Sequence, residues 1–340
     1  MNFCIFGAGA WGTAMSIVLH RGGHSVTLVP RRLEHATALA TTRINTTYLP
    51  DIPLHEDIQI AFEPRPPLME ADAVIFACPS PALRATAASL HSVLDTARRV
   101  RIFISLVKGL EQHTLLRPLQ VIASELPNHT LGVLSGPTNA AEIARALPAA
   151  AIFASNGDET TTQLVQKALS TDSLLRVYRS TDTAGVELGG ILKNIYAIGA
   201  GICDGLQLGS NAKASYLTRA IYEMTHLGVA AGGKAETFLG LSGVGDLIAT
   251  AHGKWSRNRA LGERLAQTDN TNTQGGEPIA DDFAARHTAE GYRATACFME
   301  FANKHQISAP ILKEIHNILY GVLKPSETIS NLMRRSLKQE

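Results

Sequence analysis

Short apolar runs alternate with amphipathic stretches through the first half of the chain, and that alternation predicts strands separated by helices. The run "FCIF", ending at Phe6, reads as a buried strand, Trp11 to His20 as the helix after it, and "SVTLV", ending near Val29, as a second strand. A more polar helical stretch begins at Arg31. Further apolar runs predict strands at Ala73 to Cys78, Arg101 to Leu106, Leu131 to Ser135, Ala149 to Ala154 and Leu174 to Val177. Helical spacing fills the gaps at Ala82 to Leu94, Leu115 to Glu125, Ala140 to Leu147 and Thr160 to Leu169. Continuously apolar strands need helices on both faces, which is the requirement of a mostly parallel sheet. The pattern leaves strand order and antiparallel additions open.

After about Asp182 the pattern changes. "GVELGGILKNIYAIGAGICDGLQLG" has no alternation of period two, and its glycines and alanines let one helix lie unusually close to others. "NAKASYLTRAIYEMTHLGVAAG", "RATACFMEFANKH" and "APILKEIHNILYGVL" also carry helical spacing. The expected fold is therefore α/β: a Rossmann-like N-terminal domain over residues 1–182, then a predominantly helical substrate and catalytic domain over 183–340. "NTTYLPDIPL", "FEPRPPL" and "TDNTNTQGGEP" are rich in Pro, Gly, Asn and Asp and read as loops.

Composition narrows the function classes. Of 340 residues, 45% are hydrophobic and 18% charged, which fits a folded protein and neither disorder nor a disulfide scaffold. With 31 basic against 30 acidic side chains the formal charge is +1, so no broad footprint for a nucleic acid exists and any anion site must be local. Cys4, Cys78, Cys203 and Cys297 are isolated in apolar contexts without zinc spacing, so they read as reduced core residues of a cytoplasmic protein and no metal site is expected. The first apolar run lacks a basic leader, "AVIFACP" and "AIFAS" are of strand length, and no integral membrane segment is expected.

The chemistry begins at "GAGAWG". Gly7 permits a tight turn at the end of the first strand, Gly9 removes the Cβ that would block a pyrophosphate, and Gly12 allows close packing of helix on strand. Free N–H groups at the following helix start, near Ala10 and Trp11, can then receive a dinucleotide's phosphates. Where an NAD-binding carboxylate is expected at the end of the second strand, "LVPRRLEH" supplies Arg31 and Arg32. A cationic fork pairs with a ribose 2′-phosphate, so NADP(H) is the preferred cofactor and NAD(H) a possible one.

Other polar residues sit where ligands meet an open sheet. "SLVKG" puts Lys108 just beyond one strand, and "SGPTNAAE" puts Thr138 and backbone amides beyond another. In "GGILKNIYA", Lys193 and Asn194 interrupt an apolar helix, where burying an ammonium is expensive unless it has polar partners. Such a lysine can exchange a proton with a reacting alcohol or ketone, although snorkelling is the plainer alternative. "LSGVGDLIAT" and "KWSRNRALG" supply Asp246, Ser256, Arg257 and Asn258 near helix starts, suited either to a small phosphate and a hydroxyl or to capping.

Taken with "YLPDI", "VKGLE", "AEGYRAT" and the terminal "LMRRSLKQE", these motifs cover nearly the whole chain, which closely resembles the bacterial NAD(P)-dependent glycerol-3-phosphate dehydrogenases. The resemblance implies hydride transfer between dihydroxyacetone phosphate and sn-glycerol 3-phosphate, feeding glycerophospholipid synthesis, in a cytoplasmic homodimer. It further implies that Trp11, Arg31, Lys108, Ala140, Arg257, Ala289 and Glu290 lie around the cofactor. Lys108, Gly136, Thr138, Lys193, Asp246, Ser256, Arg257 and Asn258 match the substrate pattern, with Lys193 transferring the proton.

The chain departs from the family pattern at Asn139, where phenylalanine is frequent, at Ala289, where a larger aliphatic residue is common, and at Cys78, usually valine. The loop around Asn272 is extended and polar. The residues alone also admit a dehydrogenase of small hydroxy acids or a dinucleotide-sensing interaction protein. Ketone-dependent oxidation of NADPH separates the last of these from an enzyme.

Overall fold

The computed structural model describes residues 1–94, 97–269 and 289–328. Contacts divide the chain into two compact units, Met1–Glu187 and Leu188–Glu340. Among the described residues the first contains ten strands: β1 (Asn2–Phe6), β2 (Ser25–Val29), β3 (Ile44–Asn45), β4 (Leu49–Pro53), β5 (Gln59–Ile60), β6 (Ala73–Phe76), β7 (Ile102–Ser105), β8 (Thr130–Ser135), β9 (Ala149–Ser155) and β10 (Leu175–Ser180). Eight of them form one sheet in the order β10-β9-β8-β7-β6-β1-β2-β5.

Every neighbouring pair in that sheet is parallel except β8 with β9. The helix joining those two strands is only Ala140–Ala144, too short to carry the chain back across the sheet for another parallel strand. Successive side chains of the strands enter opposite cores: Phe3 and Ile5 of β1 join one apolar cluster, Cys4 and Phe6 the other. Both faces are buried, and this is why the strands read as unbroken apolar runs. After β2 and β5 on one side of β1 the chain crosses to β6 on the other, so a topological switch point opens at the carboxyl ends of β1 and its neighbours.

Three segments differ from the sequence expectation. "NTTYLPDIPL" forms most of the antiparallel hairpin β3–β4 rather than a loop, tolerating Pro50 and Pro53 because a two-stranded ribbon leaves outward N–H positions unpaired. Within "FEPRPPL" a helix runs Arg65–Glu70, its prolines in the first turn, where no intrahelical N–H is needed. The helix expected over Ala82 to Leu94 is a 3₁₀ turn, Ser80–Ala82, and two short helices, Leu83–Ala88 and His91–Leu94, with the Ser89 hydroxyl turned back onto the Thr86 carbonyl. The polar loop around Asn272 and the segment "LMRRSLKQE" lie outside the described residues.

The division between the compact units falls inside the helix Thr183–Gly205. Val186 belongs to one of the sheet's apolar clusters. Glu187 is fully enclosed, its carboxylate 2.5 Å from Arg117 Nη1 and accepting the Leu119 N–H at 2.7 Å. This 23-residue helix is long and apolar enough to cross a membrane, contrary to the expectation that no segment is, yet its apolar window is wholly buried in protein.

The second unit is helical: Gly209–Ala230, Ala235–Phe238, Asp246–His252, Arg257–Asp269, Glu290–Lys304 and Pro310–Leu319 follow the remainder of Thr183–Gly205. Glycine permits its closest crossing. A Cβ on Gly201 would stand 1.9 Å from the Arg259 carbonyl oxygen, and one on Gly262 would stand 1.9 Å from that of Ile198. Ala309 gives the helix Pro310–Leu319 no side-chain cap; buried Glu223 instead accepts the N–H groups of Ile311 and Leu312, both at 2.8 Å.

Candidate active site

In the first unit the glycine turn follows β1 as steric rules demand. Gly7 has φ +111°, and a Cβ there would lie 2.7 Å from the Ala77 backbone. A Cβ on Gly12 would reach within 2.0 Å of the Gly7 carbonyl oxygen. At Gly9 no atom stands within 4 Å of that position, so the backbone there faces the open space a pyrophosphate requires. The helix Ala10–Arg21 begins next, and its first ladder bond runs from Thr13 N to Gly9 O at 3.0 Å, leaving the amides of Ala10, Trp11 and Gly12 as the helix's terminal donors.

Asn45 fixes this turn from outside and was not legible in the sequence. Its buried amide donates to the Ala8 carbonyl at 2.9 Å and to Thr13 Oγ1 at 2.7 Å, while His35 Nε2 lies 3.2 Å from its oxygen. Arg31 and Arg32 are exposed just past β2. Arg32 lines a depression of about 400 Å³ with Glu34, His35, Asn45, Thr46 and Thr47.

Three more expected residues meet at the carboxyl ends of β7 and β8. Lys108 Nζ donates to the Gly136 carbonyl at 3.4 Å, and Thr138 Oγ1 donates to the same oxygen at 3.1 Å. Gly136 has φ +138°, a region disfavoured for side-chain-bearing residues, and a Cβ there would stand 3.1 Å from Ala151 Cα. Asn139 accepts the Glu142 N–H at 2.9 Å and caps the short helix that Ala140 begins.

In the second unit Lys193 is 5% exposed, and its ammonium is held by polar partners rather than snorkelling to water. Nζ donates to Asp246 Oδ1 at 2.8 Å and to Thr250 Oγ1 at 2.6 Å. Asp246 and Thr250 lie four residues apart on the helix Asp246–His252 and so share one face. The Thr250 hydroxyl proton goes to the Asp246 carbonyl at 2.6 Å, which leaves its oxygen to accept from the lysine. A π turn, Leu241–Gly245, delivers Asp246, and a Cβ on Gly243 would lie 1.9 Å from the Phe238 carbonyl oxygen. Thr250 went unrecognised in the sequence, although its i+4 spacing from Asp246 was a usable signal.

Beside this group Asn258 links the helix Thr183–Gly205 to the start of the helix Glu290–Lys304. Asn258 Nδ2 donates to Asn194 Oδ1 at 2.9 Å, and Asn258 Oδ1 accepts the Gly291 N–H at 3.0 Å. That bond anchors the helix Glu290–Lys304, preceded by buried Ala289. Ser256 Oγ accepts the Arg259 N–H at 3.1 Å, so the buried serine caps the helix on which Arg257 is the first, exposed residue. Ser256 and Asn258 thus carry structural hydrogen bonds that present Arg257. Burial pushes the Cys4 thiol far up and that of Cys203 to about 11, so neither is a competing nucleophile.

Comparison with known proteins selects among the chemistries such groups permit. Residues 2–161 match the N-terminal domain of NAD-dependent glycerol-3-phosphate dehydrogenase, and residues 182–330 match the C-terminal domain. The chain is 40% identical to the glycerol-3-phosphate dehydrogenase [NAD(P)+] of Thiobacillus denitrificans over 346 residues, covering all of both chains. It is 38% identical to the enzyme of the same name from Syntrophotalea carbinolica, covering all of this chain and 99% of that one. The crystal structure of glycerol-3-phosphate dehydrogenase from Coxiella burnetii superposes with a TM-score of 0.88 at 34% identity, over 98% of each chain. The chain belongs to the NAD-dependent glycerol-3-phosphate dehydrogenase family.

Proposed function

We propose that this CH–OH oxidoreductase interconverts dihydroxyacetone phosphate and sn-glycerol 3-phosphate, working mainly toward glycerol 3-phosphate and glycerophospholipid synthesis, with NADP(H) preferred over NAD(H). The observation that carries the reading is the buried group of Lys193, Asp246 and Thr250, with Nζ 2.8 Å from Asp246 Oδ1. The nicotinamide cofactor, when bound, supplies or takes the hydride. In the reductive direction Lys193 as ammonium gives the proton that the new alkoxide oxygen needs; in the oxidative direction its neutral amine removes the alcohol proton. Asp246 and Thr250 hold Nζ in one place, so little reorganisation accompanies the transfer.

The open space at Gly9 fits a pyrophosphate, which Gly7, Gly9, Ala10, Trp11 and Gly12 would hold. Arg31 and Arg32 would pair with the 2′-phosphate, and Lys108, Ala140, Arg257, Ala289 and Glu290 would surround the remainder of the cofactor. For the substrate, Lys108 orients the reacting oxygen with Gly136 and Thr138. Arg257, presented by Ser256 and Asn258, takes the phosphate by charge-assisted hydrogen bonds that plain glycerol cannot offer. The enzyme works as a cytoplasmic homodimer.

Purified protein assayed with each nicotinamide cofactor against dihydroxyacetone phosphate and unphosphorylated dihydroxyacetone tests this reading. Turnover confined to the phosphorylated ketone and faster with NADPH is expected. Equal use of both ketones, or preference for a hydroxy-acid partner, would overturn it.

A further inference from the structure

The helix that starts at the glycine turn ends in a second cluster of chemical groups that the dehydrogenase reaction does not use. His20, in its last turn, and His55 and Asp57, on the loop between β4 and β5, each bring a ligand atom within 4.8 Å of the other two. The two imidazoles stack with centroids 4.4 Å apart at 28°. His55 Nδ1 lies 3.4 Å from Asp57 Oδ2 and accepts the Asp57 backbone N–H at 3.2 Å, so the loop holds ring and carboxylate together. A recess of about 520 Å³ at the amino ends of β1 and β2, lined by His20, His24, Asp57 and Glu70 among others, gives access from solvent.

We propose that His20, His55 and Asp57 form a binding site for a divalent first-row transition ion of the zinc type. Two imidazole nitrogens and one carboxylate oxygen are a donor set suited to such an ion. Around an ion with bonds of about 2.0–2.1 Å, tetrahedral donors stand about 3.3 Å apart, so atoms now within 4.8 Å of one another must draw together before they ligate. The His55 and Asp57 side chains are 53% and 72% exposed, so both are free to swing the remaining distance. The carbonyl end of the helix Ala10–Arg21 also favours a cation there.

His24, although close by, is not a ligand: its Nε2 lies 2.9 Å from the Ala168 carbonyl oxygen and its Nδ1 3.3 Å from the terminal amine. Three protein ligands leave at least one position to water, which makes the site exchangeable rather than a closed structural one. A bound ion would staple this helix end to the loop leading into β5, the edge strand of the large sheet.

The test is a titration of the chelator-stripped full chain with zinc chloride, followed by calorimetry and by the thermal midpoint. One equivalent should bind and raise the midpoint. The double variant His20→Ala/His55→Ala and the single variant Asp57→Asn should each weaken zinc by about tenfold or more, with circular dichroism and NADPH binding unchanged. Glu56→Gln, which alters a carboxylate of the same loop outside the donor set, should bind like the parent. Equal zinc affinity in the parent and the double variant, or no stoichiometric binding by the parent, would overturn the proposal. If the double variant fails to fold, zinc affinity in Asp57→Asn equal to that of the parent overturns it alone.

Discussion

Gly189 lies so close to Ser242 that a Cβ on the glycine would stand 2.9 Å from the serine carbonyl oxygen. One helical turn further along, Lys193 meets Asp246, the residue that the same π turn delivers. Contact between the helix and the turn therefore sets the ion pair. Gly189→Ala should push them apart, destabilising the fold by about 1–3 kcal/mol and lowering kcat with little change in nucleotide affinity. Urea denaturation and steady-state kinetics check this, and unchanged kcat in a folded variant would show that the contact does not position the lysine.

Thr250 gives a finer probe of the same group. Thr250→Val keeps its volume but removes the acceptor 2.6 Å from Lys193 Nζ, leaving a buried ammonium one bond short. The expected loss is about 1–3 kcal/mol of stability together with reduced kcat, and Thr250→Ser should restore most of both. Failure of the serine variant to recover turnover would assign the methyl group, not the hydroxyl, as the important part.

What could be read from the sequence was what short-range sterics dictate. Gly7 and Gly12 announce their turn because each relieves a clash within the turn or against the adjoining strand, while Gly9 keeps the space in front of the turn open. Lys193 announced itself because a charge inside an apolar helix demands partners. Asn45 was illegible: its partners lie 37 and 32 residues away, and in "NTTYLPDIPL" an asparagine beside two prolines and an aspartate reads as a turn former. The bonds from Ser256 to the Arg259 N–H and from Asn258 to Asn194 and Gly291 were likewise not readable, since spacing does not distinguish a cap or a helix-to-helix bridge from a ligand contact.

Asn45 supplies the next prediction. Asn45→Ala deletes the donor to Ala8 and Thr13 that holds the glycine turn, so NADPH should bind about 5- to 100-fold more weakly, the equivalent of about 1–3 kcal/mol. Fluorescence titration of NADPH against the folded variant measures it. Parental affinity would show that the turn holds its shape unaided.

Glu187 makes stability depend on pH. Burial pushes its carboxyl up to about 7, against the opposing pull of Arg117 and the Leu119 N–H. An acid whose folded pKa exceeds its unfolded value of 4.5 contributes stability that is fully present below about pH 4.5 and lost as pH rises through 7. Unfolding free energies from pH 5 to 8 should fall more steeply in the parent than in Glu187→Gln, by up to about 3 kcal/mol across the window. Parallel profiles would mean that Arg117 keeps the carboxylate ionised throughout.

The proposed preference for NADP(H) rests on the exposed Arg31 and Arg32. An Arg31→Ala/Arg32→Ala double variant should lose about tenfold or more in kcat/KM for NADPH while retaining the NADH value. Equal parental values for the two cofactors, or an unaffected variant, would remove the charge-based preference.

The central claim is that the Lys193 ammonium moves the proton during ketone reduction. Single-turnover reduction of dihydroxyacetone phosphate by NADPH in Lys193→Ala, with nucleotide binding measured alongside, tests it most directly. The rate should fall by about 10²–10⁴ while NADPH affinity stays within a factor of two or three. A folded variant that reduces the ketone at near-parental rate across the pH range would contradict the account.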